Sequence, residues 1–125
     1  RTHKEAAKRA IAGLSMGGFH SMQISKENPE MFDYVGLFSA AIFRGDEGVT
    51  LYNDLEVKLE PLFTGGIELY WIAIGKDDFL YEENLRYREL LDKRGYTYTY
   101  RESEDGHVWR NWRIYLSEFV TLIFK

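Results

Sequence analysis

The sequence contains no cysteine. Disulfides, thiolate metal sites and cysteine nucleophiles are therefore excluded. Proline is scarce, with two residues in 125. No run of about 18 apolar residues exists, so no segment reads as a membrane-spanning helix, and no signal peptide is visible. Basic clusters are also missing, and the formal net charge is −4. Without a basic patch, nucleic acid is not an expected partner. What is present is a 45% hydrophobic, 16% aromatic composition, enough apolar surface for a packed core and too much for a disordered chain.

Along the chain, apolar runs alternate with helical patterns. Residues 1–9 are polar and basic and read as the end of a surface helix. Ala10–Leu14 is a short apolar run that fits a buried parallel strand. Met16–Glu27 reads as a helix with Phe19 and Met22 on one face, ended by Asn28-Pro29. Tyr34–Phe38 is a second apolar run. Residues 44–50 hold two glycines and two acids and read as a loop. Leucines at 51, 55, 59 and 62 give residues 51–63 a helical spacing, stopped by Pro61 and Gly65-Gly66. Residues 67–74 are almost continuously apolar, as a strand covered on both faces should be.

A loop follows, then a helix over residues 80–94 with Leu80, Tyr87, Leu90 and Leu91 inward and Gly95 as its stop. Residues 96–102 alternate and read as an edge strand. The last helix starts near Trp109, with Trp112, Tyr115, Leu116, Phe119, Val120 and Ile123 on its buried face. Four strand–helix units in succession predict an α/β fold of about four parallel strands joined by right-handed crossovers.

Gly13-Leu14-Ser15-Met16-Gly17 is a Gly-x-Ser-x-Gly motif between a predicted strand and a predicted helix, the setting in which such a serine becomes a nucleophile. A sharp strand-to-helix turn lifts the serine hydroxyl off the sheet. The helix behind it aims its first amides at a developing oxyanion, with the N–H of Met16 as one donor.

A serine nucleophile needs a base, and the base an orienting acid. The chain has three histidines. His3 lies in the polar N-terminal segment. His20 is five residues after Ser15, turned away from it along the helix. His107 follows the last strand, where open α/β sheets gather their sites, and is the predicted base. Asp77 and Asp78 both sit in the loop after residues 67–74. One can orient the histidine while the other caps the next helix, and sequence mechanics alone do not separate them. Asp105 is too near His107 in sequence to orient it easily. Asp46 and Asp54 read as solvated. The order Ser, Asp, His is that of α/β hydrolases.

Residues 10–18, Ala-Ile-Ala-Gly-Leu-Ser-Met-Gly-Gly, resemble the elbow of the esterase D-like family. That family includes feruloyl and acetyl-xylan esterases of carbohydrate esterase family 1, enterochelin esterases and S-formylglutathione hydrolases. Pro29-Glu30-Met31-Phe32, Phe38-Ser39-Ala40-Ala41 and Gly75-Lys76-Asp77-Asp78-Phe79-Leu80 resemble later segments of it. The last of these places the acid on Asp78. Gly106-His107-Val108-Trp109, with Trp112 and the terminal Phe124-Lys125, is similar to the histidine segment of the feruloyl and xylan-acting branch.

The resemblance implies a serine carboxylesterase acting through an acyl-enzyme on feruloyl or acetyl esters of plant polysaccharide. It implies no cofactor and no metal, and a secreted or periplasmic location. It also implies that residues 1–125 are the C-terminal half of an α/β-hydrolase domain, without its N-terminal half and the second oxyanion donor that half supplies. Two expectations follow. The chain alone should be weakly active or inactive. Ala10–Leu14, left as an exposed apolar edge, should favour self-association. Alternatives are an acyltransferase on the same triad and a non-catalytic module that binds carbohydrate or assembles with a partner. Phe43, Tyr52 and Phe63 are candidates to touch an aromatic acyl group, with core packing the competing role for Phe63.

Overall fold

The computed structural model describes residues 9–43 and 52–124. Among them the chain forms β1 (Ala10–Leu14), α1 (Met16–Glu27), β2 (Tyr34–Phe38), α2 (Leu55–Lys58), α3 (Glu60–Thr64), β3 (Leu69–Gly75), α4 (Tyr81–Lys93), β4 (Thr99–Ser103) and α5 (Trp109–Leu122). The strands make one sheet in the order β1-β2-β3-β4, every pairing parallel. All four strand C-termini therefore open at one end of the sheet. The α/β class and the four parallel strands expected from the sequence are both found.

Side-chain alternation along the strands divides the core in two. Val35, Leu37, Tyr70 and Ile72 point to one face, against Met22 of α1, Leu55, Leu59 and Leu62 of the α2–α3 region, and Tyr87 and Leu91 of α4. Tyr34, Phe38, Trp71 and Ala73 point to the other, against Tyr115 and Phe119 of α5. Strands carrying apolar side chains on both faces explain why β2 and β3 read as unbroken apolar runs.

Four expectations need correction. Residues 52–64 do not form one helix. Leu59 separates two short ones, and Pro61 stands at the start of α3. Its ring would meet the carbonyl four residues back in a continuous helix, so it begins a new turn instead of ending the old one. The third strand runs from Leu69 to Gly75, two residues later than expected at its start. The amides of Glu68 and Leu69 both donate to Asp33 O, a lead-in to the ladder.

The fourth strand begins at Thr99, because residues before it complete the end of α4. There Gly95 is left-handed at φ 72°. Its N–H reaches Asp92 O at 3.0 Å and Tyr96 N–H reaches Leu91 O at 3.0 Å, a Schellman motif. Finally, Leu116 and Val120 of α5 are 52% and 51% exposed. Each lies one residue past a buried aromatic, hence turned about 100° away from the sheet. Residues 1–8, residues 44–51 with the loop expected there, and Lys125 lie outside the described residues, and His3 and Asp46 with them.

Candidate active site

Ser15 sits between β1 and α1 with φ 55° and ψ −118°, a backbone conformation that costs a non-glycine residue energy and persists only where its surroundings fix it. Those surroundings are specific. Ser15 N–H donates to Phe38 O at 2.9 Å. Ser15 O accepts from Ala41 N–H at 2.9 Å and from the Gly18 and Phe19 amides at 3.0 and 3.2 Å. The turn is thus tied to the end of β2 and to its own helix. Two glycines make room for it. A Cβ on Gly13 would run into the backbone of Gly17, and one on Gly18 would lie 2.6 Å from Ala40 Cβ. Gly17, the second glycine of the pentapeptide, has nothing within 4 Å of where its Cβ would be among the described residues. At the start of α1 the amides of Met16 and Gly17 have no intrahelical acceptor, as at any helix N-terminus.

His107 and Asp78 reach the same end of the sheet from the loops after β4 and β3. His107 Nε2 is 3.1 Å from Ser15 Oγ. His107 Nδ1 is 2.9 Å from Asp78 Oδ2. An ionised carboxylate can only accept, so Nδ1–H donates to Asp78 and Nε2 is left to accept from the serine hydroxyl. The Asp78 side chain is fully buried and that of His107 is 19% exposed.

The other Asp78 oxygen, Oδ1, accepts the Leu80 amide at 2.8 Å where α4 begins. One aspartate therefore makes both bonds, while Leu80 stands at the N-cap of α4 and no side chain caps that helix. Asp77 is exposed, and its N–H donates to Asp105 O at 3.0 Å. Asp105 pairs with Arg110. Asp54 is the left-handed residue before α2, and His20 is exposed and packs its ring on Phe19. None of these four joins the cluster.

The acid and histidine loops are fastened to each other. Lys76 N–H donates to Ser103 O at 2.9 Å, and a Cβ on Gly75 would strike Asp105 O. Buried Asn111 donates through Nδ2 to Glu104 O and Gly106 O, both at 2.9 Å, so α5 holds the turn that presents His107. Nothing in the sequence marked Asn111. An amide one helical turn into an amphipathic helix has no pattern of its own.

Aromatic rings close on the imidazole. Phe79 lies at 4.7 Å and 62°, Trp112 at 4.9 Å and 87°. Each of the three residues is followed by exposed apolar side chains: Met16 after Ser15, Phe79 after Asp78, Val108 and Trp109 after His107. Of the residues considered for an acyl pocket, Phe43 is buried against Tyr52 and Tyr87. Phe63 stacks on Tyr96 near the opposite end of the sheet.

A strained serine on a strand–helix elbow, followed in chain order by an aspartate and a histidine on successive strand-end loops, defines the class: the chain has an α/β-hydrolase fold. An S-formylglutathione hydrolase from Staphylococcus aureus superposes with a TM-score of 0.80 at 22% identity, over 98% of this chain and 53% of that one. A carbohydrate esterase family 1 ferulic acid esterase from Anaeromyces mucronatus does so with 0.74 at 20% identity, over 98% and 46%. At sequence level, the Esterase family model matches residues 1–50. An acetyl esterase from Caldicellulosiruptor saccharolyticus is 28% identical over 88% of this chain and 52% of its own length. In sequence the chain is thus similar to esterases, and the superpositions show the α/β-hydrolase fold. The chain spans about half the length of the proteins it matches.

Proposed function

We propose that the chain carries the catalytic triad of a serine carboxylic-ester hydrolase. The observation that carries this reading is the continuous line from Ser15 Oγ through His107 to Asp78, at 3.1 and 2.9 Å. Ser15 Oγ attacks the ester carbonyl carbon while His107 Nε2 takes its proton. The carbonyl oxygen becomes an oxyanion, and the Met16 amide is its donor in this chain. Collapse expels the alcohol, which leaves with the proton from His107. Water, deprotonated by His107, then attacks the acyl-Ser15 ester, and collapse frees the acid as His107 returns the proton to Ser15 Oγ. Asp78 stays ionised throughout, fixes the imidazole tautomer and stabilises the imidazolium.

The apolar rim of Met16, Phe79, Val108 and Trp109 supports an ester with an apolar or aromatic group, and the named relatives include an acetyl esterase and a ferulic acid esterase. A feruloyl or acetyl ester on plant carbohydrate fits both. With the Met16 amide as the one oxyanion donor assigned, the 125-residue chain alone should turn over slowly, since one such donor is worth about 10²–10³ in rate. The test is hydrolysis of p-nitrophenyl acetate and methyl ferulate by this chain and by a version extended to the length of its relatives. Ser15→Ala should abolish turnover in both, and unchanged turnover would refute the reading.

A further inference from the structure

Phe38-Ser39-Ala40-Ala41 was notable in the sequence only as a resemblance to a family segment, and its Phe38 and Ala41 backbones hold the Ser15 elbow while the Ser39 side chain takes no part in the triad. In the fold, Ser39 follows β2 and is completely buried, with φ 47°. A buried non-glycine residue in the left-handed region is held there by its neighbours. Ser39 N–H donates to Ala73 O at 2.8 Å, which fixes it to β3. Asn84 of α4 donates to the carbonyl of Ala40 at 2.8 Å, which fixes the next residue as well. The hydroxyl of this immobilised serine accepts a hydrogen bond from Trp112 Nε1 at 3.2 Å. Trp112 in turn stands with its ring 4.9 Å from that of His107, nearly perpendicular to it.

We infer that Ser39 and Trp112 are positioning residues for His107: Ser39 anchors the indole, and the indole, together with Phe79, fixes the plane of the imidazole. The inference rests on the reading of His107 as the general base. Hydrogen bonds to Asp78 and Ser15 set the two ring nitrogens, but neither resists a tilt of the ring out of their common line. Contacts on the ring by Phe79 and Trp112 do. Phe79 is 58% exposed, whereas Trp112 is held in addition through its Nε1–H by Ser39. Small misplacement of a catalytic group is costly, because proton transfer needs a well-aligned contact.

The test uses the full chain with Trp112→Phe, which keeps an aromatic ring but loses the Nε1 donor, and Ser39→Ala, which loses the acceptor. Two readouts are taken: the rate of Ser15 labelling by a fluorophosphonate across pH, and the His107 Nδ1 proton in the NMR spectrum. Either variant should label about five- to tenfold more slowly, a part of the about 10²–10⁴ that a general base supplies. The double variant should be no slower than the slower single one, and the pH midpoint of labelling and the Nδ1 proton signal should both move. Thermal melting identifies variants that merely unfold. Wild-type labelling rates, midpoint and Nδ1 signal in both folded variants would overturn the inference while leaving the triad intact. Absence of labelling in the wild-type chain would count against the triad reading instead. In that case the Nδ1 signal decides: unchanged in both variants, it overturns the inference too.

Discussion

At the residue scale, Asp78 makes two hydrogen bonds, one through each carboxylate oxygen. Oδ2 receives the His107 proton donor and Oδ1 receives the Leu80 amide at the start of α4. The two can be separated. Asp78→Asn keeps a side-chain oxygen for the Leu80 amide but cannot hold an imidazolium, so it should lose about 10³–10⁴ in labelling or turnover rate with little change in melting temperature. Asp78→Ala should lose the same activity and also about 1 kcal/mol of stability, because the Leu80 amide loses its acceptor. Equal stabilities for the two variants, measured by urea unfolding, would contradict this division.

The choice between Asp77 and Asp78 was open to residue mechanics, since both types suit either role, and only the resemblance pointed to Asp78. What decides it in the fold is register. Gly75 closes β3 beside Ser103, and three residues further the side chain turns inward beneath His107. Ser15 was legible because its chemistry demands a short contiguous pattern. Asn111 and the Ser39–Trp112 contact were not legible, because the first depends on helix phase and the second joins residues more than 70 positions apart.

At the element scale, the elbow depends on two close approaches. Gly13 and Gly18 leave no space for a Cβ, whereas Gly17 does among the described residues. Gly13→Ala forces backbone against backbone and should cost about 3 kcal/mol. Gly17→Ala, in the first turn of α1, should be neutral or slightly stabilising, by up to about 1 kcal/mol. Thermal melting of the two variants checks both, and equal losses would show that the pentapeptide glycines act alike.

Elements whose limits are written in contiguous sequence were read correctly. β1, α1 and β2 fall where their apolar runs and the Asn28-Pro29 stop place them. Elements whose limits depend on partners were not. β4 starts at Thr99, opposite Trp71, only after the turn that closes α4. The α2–α3 break was misread because leucine spacing continued across it and Pro61 was given the role of a stop. On α5 the apolar pattern was wider than the surface that covers it, so Leu116 and Val120 were assigned to a core they do not enter.

At the scale of the whole molecule, the sheet ends in β1 on one side, and that strand pairs with β2 alone among the described residues. We propose that the 125-residue chain associates through this edge. Sedimentation across a hundredfold concentration range should show growth in mean mass, and a constant monomer mass would contradict it.

Stability also carries a pH signature. Tyr70 and Tyr87 share a 2.6 Å hydrogen bond in the core, and burial pushes both hydroxyls above the ordinary tyrosine range, with their mutual interaction opposing this for Tyr70 and adding to it for Tyr87. Each is harder to ionise folded than unfolded. Their contribution is therefore complete below the unfolded value of about pH 10 and is lost as pH rises beyond it. Alkaline unfolding should coincide with tyrosinate absorbance. Tyr87→Phe, which strands the Tyr70 hydroxyl, should cost about 1–3 kcal/mol, much of it regained in the double Phe variant. A double variant that is less stable than Tyr87→Phe alone would contradict this.

The central claim is that Ser15 is a nucleophile activated by His107. Intact-mass and peptide analysis of the 125-residue chain treated with a fluorophosphonate tests it most directly. The account predicts a single adduct on Ser15, absent from Ser15→Ala and strongly slowed in His107→Ala. An adduct on another residue, no adduct at all, or a rate indifferent to His107→Ala would contradict it.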